Sequence, residues 1–273
     1  MRAAAASKPT GSACPCSRGN EPGPAMSEDA FFTVYGNLPR HGPGSDDCTR
    51  EALRRLPPLP PHPRVVDLGC GAGAQTLVLA EALRTRVIAV DLHEPFLDQL
   101  KARARERGLD ALIDVQRQDM GALSLPEASF DLLWSEGAIY HLGFGPGLRR
   151  WRPLLAPGGL AAVTECTWLT DERPDEIARF WGEVYPTMGT VLENRAAAET
   201  AGYEVLDTFT LPASAWWDTY YTPLLQRVAH LRAHGDASLE DALSAAEQET
   251  RLYRQYEHTY GYVFHLLRNP SAL

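Results

Sequence analysis

The sequence predicts a doubly wound α/β fold, and three observations carry that expectation. Short apolar runs alternate with stretches of helical period from residue 64 to residue 165. The runs are nearly continuous in apolar residues, as in parallel strands covered on both faces. The first run, "RVVDLG", opens into the glycine-rich turn "GCGAG" and then a helix, the strand–turn–helix entry of an open α/β sheet. At 273 residues, 44% of them hydrophobic, the chain is long enough for one large α/β domain or two small ones.

Taken in order, residues 1–26 are rich in Ala, Gly, Pro and Ser and are expected to be a disordered tail, with Met26 a possible natural start. Residues 27–60 form an N-terminal helical cap and linker. "SEDAFFTVYGN" reads as a short helix with Ser27 as N-cap, "LPRHGPGS" as an irregular loop, "DDCTREALRRL" as a second helix and "PPLPPHP" as a stiff spacer. Residues 61–211 form the core. Its strands are "RVVDLG", "RVIAVDL", "ALIDVQRQD", "FDLLWSE" and "LAAVTE", and its helices lie at 75–84, 94–107 and 145–155. "PDEIARFWGEVY" and "TVLENRAAAETAGY" add two helices, the latter stopped at Gly202, and "YEVLDTFTL" is a sixth strand. Residues 212–260 read as two helices split at "AHGDAS", with Ser238 and Asp241 as a capping-box start, and residues 261–273 carry the last strand. The final two strands are thus a hairpin interrupted by a long helical insertion, and an insertion of that length is usually a functional cover.

Composition excludes several classes. A formal charge of −9 argues against a nucleic-acid partner. The densest basic run, "KARARERG" at 101–108, reads as the solvated face of a helix. No apolar run reaches the roughly 18 to 20 residues of a membrane span, and the N-terminus lacks the apolar segment of a signal peptide. Cys14, Cys16, Cys48, Cys70 and Cys166 are odd in number and irregular in spacing, which points away from a zinc site or a disulfide framework and towards a reduced, cytoplasmic protein.

The glycine turn announces a nucleotide-bearing cofactor and leaves its identity open. Gly69, Gly71 and Ala74 fit a dinucleotide fingerprint. Asp67, Gly69, Gly71 and Gly73 fit an S-adenosylmethionine (SAM) loop equally well. Asp91, ending the second strand, suits the two ribose hydroxyls in either case. After the third strand, "QDM" offers the Asp119 carboxylate to an adenine amino group and the Met120 N–H to a ring nitrogen. "FDLLWSEGAIYHLG" then sets a polar loop at the end of the fourth strand, and "LLAPGGLAAVTE" is a helix, a tight turn and a fifth strand.

These blocks in this order resemble class I SAM-dependent methyltransferases, over roughly residues 30 to 268. "RHGPGS", "WSEGAIYHLGF", "TDERPDEI" and "WWDTYYTP" are similar to a group of bacterial small-molecule methyltransferases. The resemblance implies a Rossmann-like seven-stranded sheet whose strand 7 is antiparallel and inserted between strands five and six. It implies SAM as cofactor, with Asp67, Gly69, Cys70, Gly71, Gly73, Gln75, Asp91, Leu92, Asp119, Met120, Ser135 and Arg40 around it. Glycine would let the backbone approach the methionine part, and Asp67 would serve its ammonium directly or through water.

Methyl transfer is an in-line displacement that needs alignment, exclusion of water and a base when the nucleophile carries a proton. It requires no metal. The candidates at the reacting centre are His141 as base, Glu136 and Tyr140. On a helix Trp216 shares a face with Tyr220, and Trp217 with Tyr221, so these four are expected to wall a pocket for a small-molecule acceptor. Arg40 and His41 lie on a loop of the kind that closes over cofactors. An NAD(P)-dependent oxidoreductase and a non-catalytic SAM-binding module are the rival readings, and a thiol-assisted arsenic methyltransferase is a distant third.

Overall fold

The computed structural model describes residues 27–271; the expectations for 1–26, including the Met26 start, and for the last two residues lie outside the described residues. The chain opens with α1 (Glu28–Tyr35) and α2 (Asp46–Arg55). Each is started by a serine whose hydroxyl oxygen accepts a backbone N–H three residues on, Ser27 from Ala30 and Ser45 from Cys48. The alternating core follows: β1 (Val65–Leu68), α3 (Ala74–Leu83), β2 (Val87–Asp91), α4 (Glu94–Glu106), β3 (Ile113–Arg117), β4 (Phe130–Ser135), α5 (Phe144–Trp151) and β5 (Leu155–Trp168). Then come α6 (Asp175–Val184), α7 (Val191–Thr200), β6 (Glu204–Thr210), α8 (Ser214–Trp216), α9 (Thr222–Ala233), α10 (Glu240–Tyr256) and β7 (Tyr260–Arg268).

The seven strands form one sheet in the order β3-β2-β1-β4-β5-β7-β6. The first five are parallel, and β7 runs antiparallel between β5 and β6. The interrupted hairpin is therefore real: β6 pairs with β7 from Glu204↔Arg268 to Thr210↔Val263. The two faces of the sheet feed separate cores. Leu132, Trp134, Ala162 and Cys166 pack towards α1, α2, α9 and α10, while Leu133, Ala161 and Val163 pack towards α5 and α7. That alternation within continuous apolar strands is why both faces acquired helices.

Local signals placed most boundaries. Thr190 and Glu193 form a reciprocal capping box for α7, and Gly202 follows its end with φ +90°. Two readings are corrected. Asp236, not Ser238, caps the turn that leads into α10, its carboxylate accepting the Ser238 N–H at 2.9 Å. β5 is also far longer than "LAAVTE", because β7 extends alongside it as far as Trp168↔Tyr260. Among the described residues no helix is long and apolar enough to cross a membrane.

Candidate active site

The carboxyl ends of β1, β2 and β4 open into a cavity of about 740 Å³. Its floor is the loop 69–75, its sides are 91–93, 118–121 and 136–142, and its roof is the segment 39–43. An open parallel sheet leaves its ligand crevice at this place, where the connections from β1 and β4 depart to opposite faces.

The glycine loop is built for close approach. Gly73 has φ +77°, and a Cβ there would lie 2.1 Å from Leu100 Cδ1, so helix α3 can seat against α4 only without a side chain. Gly71 has φ +54°, and a Cβ there would meet only the His41 ring, at 3.4 Å. Gly73 thus serves packing, whereas Gly71 keeps the cavity floor bare. Asp91 fixes the loop from the side. Its carboxylate accepts the Gly71 N–H at 2.8 Å and the His93 N–H at 2.9 Å.

Asp67 stands beneath the loop, fully buried, and does not line the cavity. Thr76 Oγ1 donates to it at 2.6 Å and Gln75 Nε2 at 3.4 Å. Burial pushes its carboxyl up to about 7, the charges of Glu136 and Asp91 add to that, and the Thr76 and Gln75 hydrogen bonds oppose it. A direct contact to a ligand's ammonium is thus not what this geometry offers; Asp67 holds Gln75 and Thr76, and Gln75 reaches the cavity. Ser135 is likewise behind the wall, its hydroxyl donating to the Leu68 carbonyl at 2.8 Å and tying β4 to β1. Gly69, Cys70, Leu92, Asp119 and Met120 all border the cavity. Leu92 is an apolar side chain left 37% exposed at the rim. The Asp119 carboxylate accepts the Gly121 N–H at 2.7 Å, and the Met120 carbonyl accepts the Trp151 indole N–H at 2.9 Å. Burial, with the charges of Asp91 and Asp67, pushes the Cys70 thiol well up, which leaves it a packing group.

At the other end, Glu136 is committed to the protein. Its carboxylate accepts from Thr49 Oγ1 at 2.7 Å, from the Trp134 indole at 2.9 Å and from Arg40 at 3.2 Å. Arg40 also pairs with Asp46 at 3.0 Å. The Arg40–Glu136 pair joins the roof to the end of β4, so neither side chain is available as a lone charge for a ligand. Tyr140 and His141 sit on a single turn after β4 with ring centroids 4.0 Å apart, both at the cavity, His141 exposed.

The four aromatic residues of the insertion are not brought to the cavity. Trp216, Tyr220 and Tyr221 are buried in the core, and no residue of 212–260 lines the cavity. Residues Trp217–Tyr221 form a π-helical turn, which takes Trp216 out of register with Tyr220, whereas Trp217 keeps Tyr221 as its neighbour at 5.5 Å between ring centroids. Trp216 instead lies 5.8 Å from the Tyr221 ring and stacks on Tyr253 of α10 at 4.2 Å. Trp217 is half-buried, its indole N–H reaching Glu257 at 3.2 Å. The insertion therefore stands behind the roof, which it touches where the Gly44 N–H meets the Ala215 carbonyl at 2.9 Å.

Sequence reasoning missed part of the cavity wall. Phe96 and Phe31 line it, and His41 stacks on Phe96 at 3.8 Å. Burial, with the Arg103 charge beside it, lowers His41 to about 4 against a backbone hydrogen bond at Gly36, so its ring is neutral at pH 7. Arg103, read as part of a solvated face, is half-buried and donates to the carbonyls of Leu38, Pro39 and Ala72 at 3.2–3.3 Å. Nothing local to "KARARERG" signals those three distant carbonyls.

Residues 65–159 match the family model described as a methyltransferase domain. Those residues carry a methyltransferase domain. A SAM-dependent methyltransferase from Geobacter sulfurreducens, solved with S-adenosylhomocysteine, shares the fold at a TM-score of 0.75 and 20% identity, over 88% of this chain and 98% of that one. The 27-O-demethylrifamycin SV methyltransferase of Amycolatopsis mediterranei (strain S699) is 25% identical across 89% of this chain and 94% of its own length. The 24-methylenesterol C-methyltransferase 2 of Oryza sativa subsp. japonica is 27% identical over 58% of this chain. The chain spans 46% of that plant enzyme, about half. The matched residues 65–159 include the glycine loop and the Asp91 rim of the cavity.

Proposed function

We propose that the protein transfers a methyl group from SAM to a small-molecule acceptor by in-line displacement in this cavity. One observation carries the reading. Asp91 stands on the rim with each carboxylate oxygen already oriented by a backbone N–H, next to a glycine floor that a side chain would fill. The remaining lone pairs of Asp91 suit a pair of ribose hydroxyls. Leu92 and Met120 offer apolar surface to an adenine ring, with Asp119 at its edge, and Gly69, Gly71 and Gln75 border the space for the methionine part. SAM supplies a methyl group on a sulfonium, which leaves as a neutral thioether and needs no acid.

The same geometry speaks against a dinucleotide. Arg40 is neutralised by two carboxylates, and Arg103 spends its N–H groups on three carbonyls, so neither is poised for a pyrophosphate. A cationic cofactor suits a floor edged by Asp91 and Asp119 and roofed by a neutral His41.

The chain's own residues then have distinct tasks. Phe31, Phe96 and the His41 ring exclude water above the cofactor. The Arg40–Glu136 pair holds the roof to the sheet. Tyr140 and His141 face the acceptor, and His141, exposed, is the group that exchanges protons with solvent. The two relatives' names specify a carbon and an oxygen acceptor, so kinship does not fix the acceptor atom. Among the described residues Cys48, Cys70 and Cys166 are buried and form no disulfide, which suits a reducing compartment and supports a cytoplasmic setting. Calorimetry with SAM and with NAD, followed by mass-spectrometric detection of S-adenosylhomocysteine over pooled metabolites, tests the reading. NAD binding in place of SAM would overturn it, and SAM binding with no turnover on any pool would favour a binding module.

A further inference from the structure

We propose that Glu165 and Tyr185 form the acceptor pocket behind Tyr140 and that the acceptor is an amine, which the Glu165 carboxylate receives as its cation; this rests on the methyl-transfer reading. The placement follows from register. β4 ends at Ser135, opposite Val163 of β5, so Glu165 stands two residues beyond the last β4 partner, level with the loop that carries Gly137. The Gly137 N–H donates to Thr164 Oγ1 at 2.7 Å, which joins that cavity-lining residue to Glu165's neighbour. Past β4 the free edge of β5 is taken by the segment after α6, where the Trp168 N–H meets the Gly189 carbonyl at 2.9 Å and Trp168 bridges Thr190. That segment begins at Tyr185, whose ring stands edge-on to Tyr140 at 6.2 Å. Tyr140 in turn lines the cavity, so one aromatic layer separates the cavity from the Glu165–Tyr185 pair.

Glu165 is 2% exposed, and neither carboxylate oxygen finds a hydrogen-bond partner of ordinary geometry. Burial pushes its pKa up to about 8, although the Tyr185 hydroxyl and the Cys166 N–H pull the other way. Among the described residues no basic side chain pairs with Glu165. His265, on the neighbouring β7 opposite Val163, is itself buried and lowered to about 4, hence neutral. A buried carboxylate without a cation is expensive, and a ligand that brings one removes the expense. The Tyr185 ring beside it adds affinity for a cation.

A carboxyl group that titrates near neutrality is also matched to an amine's chemistry. The bound ammonium gives one proton to a Glu165 oxygen and becomes a free amine. Its nitrogen lone pair then forms the N–C bond as the C–S bond breaks, the electron pair staying on the neutral thioether sulfur. The product leaves as a methylated ammonium, and the proton on Glu165 is lost to solvent.

The test uses the full chain with S-adenosylhomocysteine bound. Benzylamine, ethanolamine and glycine are titrated by calorimetry against benzyl alcohol, ethylene glycol and glycolate, and the same six are offered with SAM for turnover. Amines are expected to bind and be methylated, and their alcohol counterparts are not. Glu165→Gln should weaken amine binding at least tenfold with S-adenosylhomocysteine affinity unchanged, and Glu165→Asp should restore part of it. Equal use of the alcohols, an unaffected Glu165→Gln variant, or SAM binding with no response to any amine would each overturn the proposal. Should Glu165→Gln fail to fold, the wild-type comparison of amines with alcohols decides alone. Failure of the wild-type protein to bind SAM would instead remove the methyl-transfer reading beneath it.

Discussion

The cofactor side and the insertion make opposite use of unusual residues. Around β1 and β2 the unusual residues are glycines at positive φ and a strand-end carboxylate, and they face the cavity or shape it. In 212–260 they are large aromatics, and three of four are buried in the core away from it. The difference is one of range. A glycine loop is specified by backbone geometry within seven residues, so its place follows from its own sequence. A tryptophan on a helix is apolar in any direction, and the face it takes is set by partners far away, here Tyr253 and Tyr262.

The largest expected effect breaks the loop itself. Gly73→Val combines a left-handed backbone that disfavours any side chain, at about 1–2 kcal/mol, with overpacking against Leu100 at about 1–3 kcal/mol. It should lower thermal stability severely or prevent folding. Gly71→Val carries the backbone strain but meets only His41, so it should fold with modest loss while SAM binding fails. A Gly71→Val protein that binds SAM normally would mean that the floor of the cavity is not where the cofactor lies.

Next in size is Trp216→Ala. Removing a ring stacked on Tyr253 and edge-on to Tyr262 should cost about 3–5 kcal/mol in chemical denaturation. SAM affinity of the folded protein should be unchanged. Lost acceptor turnover with unchanged stability would restore Trp216 to the acceptor pocket and dissolve the contrast between the two regions.

Asp91→Ala then probes the cofactor side without disturbing the core. It should weaken SAM binding by about 1.5–3 kcal/mol for each charge-assisted hydrogen bond lost, measured by calorimetry, while the fold survives. Some of that loss will come through the Gly71 and His93 N–H groups that Asp91 orients. Asp91→Asn, which keeps an acceptor oxygen, should be milder.

How far the sequence was legible follows the same division. The alternation of strands and helices, the interrupted hairpin and the helix cap at Ser27 rest on local patterns and on continuous apolar runs. Asp91 was legible because a strand end fixes where its side chain emerges. Asp67 was legible as a position in the loop pattern but not as a group beneath it, because strand alternation had to be combined with the turn of α3 over it. Glu165 left no trace, since a glutamate in "LAAVTE" reads as the end of a strand; only the β7 partner, a hundred residues on, extends that strand and buries it. The π-helical turn was likewise illegible, because its spacing differs from an α-helix by one residue per turn.

Four titratable groups of the sheet and the roof couple stability to pH. Asp67 and Glu165 have folded pKa values raised to about 7 and about 8, and His41 and His265 have values lowered to about 4. A raised carboxyl keeps its proton in the folded state, so its contribution is full below the unfolded pKa and is lost as pH rises through the folded value. A lowered histidine contributes above its unfolded pKa and loses that contribution as pH falls. Between pH 4 and 6.5 two groups of each kind oppose one another. Above pH 6.5 only the carboxyls remain, and stability should fall by about 2 kcal/mol by pH 8. Asp67→Asn and Glu165→Gln should each flatten part of that decline in denaturation series. A rise in stability from pH 6.5 to pH 8 would show that the two carboxyls are not held protonated.

The smallest expected effect belongs to Trp217, the insertion aromatic whose surroundings differ most from the other three. It is half-buried, its indole N–H reaches Glu257 at 3.2 Å, and the Arg254 guanidinium lies 4.8 Å over its ring. Both contacts go to residues at the end of α10, and neither leads to the cavity. An exposed hydrogen bond and an exposed cation–π contact are each worth about 0.5–1 kcal/mol, so Trp217→Ala should lower stability by about 1–2 kcal/mol including lost packing. Its SAM affinity and acceptor KM should match the wild type. Trp217 is the sharpest probe of the insertion for that reason: half-buried at the margin of the core, it can be trimmed at less cost to packing than Trp216. If its removal raises the acceptor KM while stability barely moves, the insertion reaches the acceptor by a route through its outer face. If KM is unchanged, the roof at 39–43 and the loop at 136–142 carry the acceptor side without it, and the insertion serves by holding Gly44, and with it the roof, against the sheet.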